Sequence, residues 1–336
     1  MKEASLYIRL ENLSVHCQLC AHRCKIQEGK FGFCGVRQNI QGVLYNHNYG
    51  KLVAVNVDPI EKKPLYHFLP GTSSFSIAGA GCNFRCGFCQ NWQISQLNFI
   101  KESPPGESFS AAKVVDKALQ NNCKSISYTY TEPTIFFEFA LEVAILAKLA
   151  GLANIFVTNG YITAEAISML RPYLNAANVD LKFFKESSYQ RICAAKLAPV
   201  LESIHLLHEA GVWVEVTTLV IPGENDSPEE LSGIAKFIAG ISKDMPWHIS
   251  CFHADYKFSS YPGTPEHSLK LAYDLGKSHG LRYVYAGNIY GWGQDTLCHQ
   301  CHRVLIKREG FNIIESHLAG HKCLFCQASL PGVFKD

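Results

Sequence analysis

A chain of 336 residues, 47% of them hydrophobic and 18% charged, can bury a large core and is neither disordered nor fibrous. Its 31 basic and 29 acidic side chains leave a formal net charge of +2, so no global field directs it to nucleic acid or a membrane surface. Met1 to Asn12 lacks the apolar stretch of a secretory signal, and no later run reaches 18 apolar residues, so a cytoplasmic protein without membrane spans is expected.

The first 36 residues carry Cys17, Cys20, Cys24 and Cys34 and read as a Cys-rich metal-binding module. Thiols stay reduced in the cytosol, which makes metal binding the default explanation for cysteines grouped this tightly. Four thiolates at this spacing, with His22 as an alternative ligand, suit a zinc knuckle or a second iron–sulfur cluster, and the spacing leaves both open. Residues 37–73 alternate loosely across Val43 to Val57 and read as connecting strands or a hairpin.

Residues 74–289 change to short apolar runs separated by longer amphipathic segments, the pattern of βα units around a parallel sheet. Strands are expected at Ser74–Ala78, Ser125–Tyr130, Asn154–Thr158, Ala177–Leu181, Trp213–Val220, His248–Cys251 and Arg282–Ala286. Ser110 caps the first expected helix, which presents Val114, Val115, Ala118 and Leu119 on one face. The second runs from Pro133 through Leu149 to a stop at Gly151, and later ones start near Thr163, Pro199, Ser227 and Pro265, with Gly211 and Gly280 as terminators. Six or seven such units predict an α/β fold, a full or partial (β/α) TIM-like barrel, whose chemistry collects at the C-terminal ends of the strands.

The glycine-rich loop after the first of these strands carries Cys82, Cys86 and Cys89. Three thiolates suit three irons of a cubane and leave the fourth without a protein ligand, the open position a catalytic metal needs; a structural zinc would want four protein ligands. Phe88 and Trp92 either shield such a centre or pack in the core. Glu132 follows the second strand in the segment Tyr128-Thr-Tyr-Thr-Glu-Pro-Thr134, where it could also serve a helix N-terminus. Asn159-Gly160 ends the third strand, as a simple turn or a point of close backbone approach. A strand period of two puts Asp180 and Lys182 on one side of the fourth strand and Leu181 on the other, so the charges face the interior as a pair.

Residues 290–336 hold two thiol hooks, Cys298-x2-Cys301 and Cys323-x2-Cys326, with twenty-one residues between them. They read as a zinc-ribbon-like module, zinc being preferred over rubredoxin-like iron or an auxiliary cluster. Cys123, Cys193 and Cys251 stand alone and read as ordinary buried thiols.

The Cys-x3-Cys-x2-Cys pattern, with Phe88 before its last cysteine, resembles the radical S-adenosylmethionine (radical SAM) signature. With Gly81 to Trp92, Tyr128 to Thr134 and both flanking cysteine groups, the chain is similar to the radical SAM enzyme of the AmmeMemoRadiSam system, a family related to pyruvate formate-lyase activating enzymes. The resemblance implies an oxidoreductase with a 4Fe–4S cluster on Cys82, Cys86 and Cys89. It implies that S-adenosyl-L-methionine is cleaved reductively to methionine and a 5′-deoxyadenosyl radical, which abstracts hydrogen in an activase-like role on a protein target. Phe88, Glu132, Asn159, Asp180 and Lys182 become cofactor-binding residues, Glu132 as a variant of a Gly-Gly-Glu element and Asp180 with Lys182 as an Asp-x-Lys element. Implied partners are a low-potential ferredoxin or flavodoxin, a Memo-like protein and an AMMECR1-domain protein. The alternatives are radical modification of a small molecule or nucleoside, and a non-catalytic electron carrier or zinc-module binding protein, nucleic acid included.

Overall fold

Apolar runs rich in β-branched residues, with amphipathic segments between them, become parallel strands covered by helices. The computed structural model describes residues 1–97 and 104–334. Its main sheet contains eight strands side by side in chain order: β1 (Ala54–Pro59), β2 (Ser73–Ala78), β3 (Ser125–Tyr128), β4 (Ala153–Thr158), β5 (Ala176–Asp180), β6 (Trp213–Val220), β7 (Trp247–Cys251) and β8 (Val284–Gly287). Strands β2 to β8 pair in parallel, and β1 runs antiparallel on β2. Among the described residues β1 and β8 are not paired to each other, so the expected barrel is a partial one.

The alternation locates β6 to the residue and most other strands to within one or two. Two differences have physical causes. The strand expected to reach Tyr130 ends at Tyr128, because Tyr130 adopts φ 62° and turns the chain out of the sheet. Strand β1 falls in the segment read as connecting; as a partly exposed edge strand it lacks the apolar run of its buried neighbours.

Helices α1 (Ala111–Gln120), α2 (Phe137–Leu149), α3 (Ala164–Leu170), α4 (Leu197–Glu209), α5 (Pro228–Ile241) and α6 (Glu266–Ser278) alternate with the strands. Ser110 caps α1, its Oγ accepting from the Lys113 N–H at 3.2 Å. Ala111, Val114, Val115 and Ala118 face the core, whereas Leu119 is 47% exposed: it lies about 100° beyond Ala118, off the buried stripe. The expected helix from Pro133 divides into a 3-10 turn, Pro133–Phe136, and α2. Helix α4 starts two residues before Pro199, which sits in the first turn where its missing N–H is not needed.

Two three-stranded antiparallel sheets form the N-terminal region, Lys2–Glu3 with Val43–Asn46 and Arg37–Ile40, and Tyr7–Arg9 with Val15–Cys17 and Lys25–Ile26. A buried ion pair fastens them to α2: Arg37 Nη2 lies 2.7 Å from Glu138 Oε2, the two side chains 2% and 4% exposed. The C-terminal region builds a three-stranded sheet from Thr296–Leu297, Val304–Glu309 and Asn312–Ser316. Its Arg308 donates to the Tyr66 carbonyl at 3.0 Å and to Thr296 Oγ1 at 2.7 Å. Among the described residues no helix is long and apolar enough to cross a membrane.

Tyr66 and His67 plug the floor of the sheet. Glu215, on β6, accepts from both of their backbone N–H groups, at 3.0 and 2.8 Å, and lies 2.6 Å from His248 Nε2 on β7. His67 bridges the Pro331 carbonyl at 2.7 Å and the Tyr285 hydroxyl at 2.6 Å. Burial pushes its imidazole down to about 4, with Glu215 opposing. Between pH 6.5 and 4 the unfolded chain therefore binds a proton that the folded chain refuses, so stability falls as pH drops through this window. The expected loss is up to about 3 kcal/mol. Chemical unfolding followed against pH checks it: the His67→Gln protein shows a flatter profile across the window than its parent.

Candidate active site

The C-terminal ends of the parallel strands surround a cavity of about 820 Å³. Cys82, Cys86 and Cys89 reach it from the loop after β2. That loop can follow its path because Gly81 has φ 96° and because a Cβ on Gly87 would lie 2.7 Å from the Phe258 ring. The Phe84 N–H donates to Cys82 Sγ at 3.3 Å, the Asn159 side-chain amide approaches the same sulfur at 3.8 Å, and Cys89 Sγ lies 3.1 Å from Ser95 Oγ. Burial pushes the Cys82 and Cys89 thiols up; for Cys86 the contact with Cys193 is the larger cause and burial the second. Three sulfurs, of which Cys82 has N–H neighbours and Cys89 an O–H neighbour, fit a cationic metal centre that converts the thiols to thiolates.

The residues expected to bind the cofactor converge on this cavity, whereas Trp92 does not reach it. Glu132 lines it, buried, between the ends of β3 and β4. Its Oε1 accepts from the Thr134 N–H at 3.0 Å, the Thr134 hydroxyl at 2.6 Å and the Thr158 hydroxyl at 2.8 Å, and its Oε2 accepts from the Asn159 N–H at 2.8 Å. It thus caps the 3-10 turn and also fixes Asn159, whose side-chain amide donates to Asn83 Oδ1 at 2.7 Å. Burial raises the Glu132 carboxyl even against these donors.

Asp180, the last residue of β5, and Lys182 just beyond it line the cavity, while Leu181 is buried and does not. Lys182 Nζ lies 2.9 Å from Asp180 Oδ2 and 5.6 Å from the centre of the Phe88 ring. Burial works against the Lys182 charge, but Asp180 together with the Cys86 and Cys193 sulfurs more than restores it. Phe88 is buried on the cavity wall, edge-on to Phe183 and Phe258. Trp92, expected beside it, is instead 36% exposed, does not line the cavity, and stacks on Tyr256 at 5.2 Å.

Two contributors were not visible in the sequence. Cys193, read as an ordinary buried thiol, has its Sγ 3.5 Å from Cys86 Sγ. It stands in the π-helical turn Tyr189–Cys193, which accepts the Arg85 and Gly87 N–H groups of the cysteine loop, and nothing at a separation of 107 residues announces the contact. Lys63 also lines the cavity, its Nζ 2.6 Å from Asp58 Oδ2 and 4.6 Å from the Tyr130 ring centre, and burial pushes it down to about 8.

The terminal cysteine groups differ in size. Cys298, Cys301, Cys323 and Cys326 have sulfurs all within 4.8 Å of one another, with Cys298 and Cys326 at 3.5 Å and Cys301 and Cys323 at 3.8 Å. Four thiolates about 2.3 Å from one tetrahedral ion would stand about 3.8 Å apart, so this group is sized for a single ion. Cys17, Cys20, Cys24 and Cys34 instead line a second, small cavity of their own.

Comparison with known proteins agrees with the geometry. The sequence profile of the radical SAM superfamily matches residues 76–237. An uncharacterized protein of Methanocaldococcus jannaschii is 42% identical over 330 residues, 97% of this chain and 98% of that protein. The pyruvate formate-lyase-activating enzyme of Listeria monocytogenes is 24% identical over 179 residues, 49% of this chain and 68% of the enzyme. A radical SAM methyltransferase from Sphaerobacter thermophilus shares the fold, with a TM-score of 0.51 at 15% identity, over 67% of this chain and 68% of its own.

Proposed function

Because the chain belongs to the radical SAM superfamily, we propose that Cys82, Cys86 and Cys89 hold a 4Fe–4S cluster with S-adenosyl-L-methionine beside it in the 820 Å³ cavity. The observation that carries this reading is the grouping of three thiols, two of them with N–H or O–H neighbours on their sulfurs, at the strand ends of a partial barrel. Such a cluster, when bound, would supply the electron for reductive cleavage of the sulfonium C–S bond. The surrounding side chains bind, orient and exclude water. Asp180 offers a carboxylate and Lys182 an ammonium to the polar end of the cofactor, Asn159 stands between Glu132 and Cys82, and Phe88 closes the wall behind Lys182. Glu132, its oxygens engaged by four donors, contributes negative potential and holds Thr158 and Asn159 at the cavity edge.

The hydrogen abstracted in this reading belongs to a protein, in the manner of an activating enzyme, and the similarity to the Listeria enzyme supports that choice over a small molecule or nucleoside. The reading extends to a place in the AmmeMemoRadiSam system, with a Memo-like and an AMMECR1-domain protein as partners, a low-potential ferredoxin or flavodoxin as reductant and the reducing cytoplasm as the setting. Zinc occupies the tetrad Cys298, Cys301, Cys323 and Cys326 in this proposal, on the strength of its sulfur separations. The test is anaerobic: reconstituted, dithionite-reduced protein given S-adenosyl-L-methionine is expected to release 5′-deoxyadenosine and methionine in equal amounts. An iron-loaded protein that releases neither would overturn the assignment.

A further inference from the structure

We infer that the N-terminal module holds a second 4Fe–4S cluster, ligated by Cys17, Cys20, Cys24 and Cys34 and hydrogen-bonded by Arg37. The four thiols line one small cavity whose remaining walls include Leu19, Ile26 and Ile135, and Arg37 borders it. Beyond the thiols these walls are mostly apolar, a shielded setting that suits an iron–sulfur cluster held by four thiolates.

The spacing points the same way. Among the described residues the C-terminal tetrad is the group whose sulfurs close to within 4.8 Å, the size a single tetrahedral ion demands. The N-terminal sulfurs, like those of Cys82, Cys86 and Cys89, do not all close to within that separation. Such an arrangement matches ligands that each stand off a different corner of an iron–sulfur cube.

Arg37 supplies an independent indication. Its Nη2 is fully engaged with Glu138, at 2.9 and 2.7 Å, but its buried Nε and Nη1 have no hydrogen-bond partner. Two orphaned donors on a cation inside the protein cost several kcal/mol unless something accepts from them. Arg37 borders the same chamber as Cys17 and Cys34. The sulfurs of a cluster carrying net negative charge, ligated by those thiolates, are the missing acceptors. The module is also held rigidly: Thr163 Oγ1 donates to the Gln18 carbonyl at 2.8 Å, and His22 Nε2 lies 2.7 Å from the Asn83 carbonyl in the neighbouring cysteine loop.

The inference stands apart from the assignment of Cys82, Cys86 and Cys89, and one experiment separates them. The full chain with Cys82→Ala, Cys86→Ala and Cys89→Ala is reconstituted anaerobically with iron and sulfide and compared with the parent. The parent is expected to hold about eight irons and the triple variant about four, with equal sulfide. On reduction the variant gives an electron spin resonance signal that S-adenosyl-L-methionine leaves unchanged, since all its irons are ligated by protein. Adding Cys20→Ser to the triple variant lowers its iron and erases that signal. Four irons in the parent and none in the triple variant, or zinc at two per chain in both, would overturn the inference while leaving the central cluster standing. Four irons in both proteins would uphold it and remove the central cluster instead.

Discussion

The Cys86→Ala protein is expected to lose 5′-deoxyadenosine formation almost completely while keeping its fold. Cys86 is buried in a loop whose backbone is anchored elsewhere, through Arg85 and Gly87 to the turn ending at Cys193, so deleting one sulfur leaves the loop in place. What it removes is a proposed covalent ligand. Loss of a supporting hydrogen bond costs a metal site roughly 10- to 100-fold, and loss of a ligand exceeds that range. Cys193→Ala is the matched control: it deletes the sulfur 3.5 Å from Cys86 but no ligand, so iron content stays near the parent's and activity falls within the smaller range. Iron analysis, deoxyadenosine yield and circular dichroism on both variants decide the matter. A Cys86→Ala protein with parental activity, or a Cys193→Ala protein without iron, contradicts the proposed ligand set.

Glu138→Ala is expected to be the most destabilising of the single substitutions considered, by about 3 to 5 kcal/mol. The cause is what it leaves behind. Arg37 is buried and always charged, and Glu138 is its only carboxylate partner among the described residues, with Asn46 Nδ2 and the Ser5 N–H also donating to Glu138 at 2.8 and 3.0 Å. Removing the acceptor strands a cation and the Ser5 N–H at once, and leaves Asn46 Nδ2 only the Ile135 carbonyl. Replacing both partners, Arg37→Met with Glu138→Met, is expected to recover much of the loss in the metal-free chain, since neither member of the pair is then left buried alone. Urea unfolding of the three proteins measures this directly.

Much of the fold was legible because parallel strands covered on both faces are nearly continuous apolar runs, and their caps and terminators are local. Ser110, Thr163 and Ser227 accept from the helix N–H groups where expected, and Gly151, Gly211 and Gly280 adopt positive φ at the helix ends. Edge strand β1 falls among the expected connecting strands but not in the expected main sheet, because exposure weakens its pattern, and Leu119 was misplaced because a ten-residue helix shows only part of its face to the core. In the site, Cys82, Cys86, Cys89, Glu132, Asn159, Asp180 and Lys182 could be picked out because each ends a strand or follows one. Lys63 and Cys193 could not: one comes from the chain before β2 and the other from a π-helical turn, and only tertiary packing brings them to the cavity or its cysteines. The contrast between a compact C-terminal tetrad and an expanded N-terminal one was likewise beyond a sequence that gives spacing along the chain but not between sulfurs.

The turn at Gly310 and Phe311, between two strands of the C-terminal sheet, lines the same cavity as the three central cysteines. Phe311 is exposed, as is Tyr290 on the same rim, so an arriving molecule meets these two aromatic rings before it meets the chamber beyond them. The last forty-odd residues are therefore a doorframe as well as a brace. Exchanging that segment between relatives would change which visitors are admitted without touching the machinery inside.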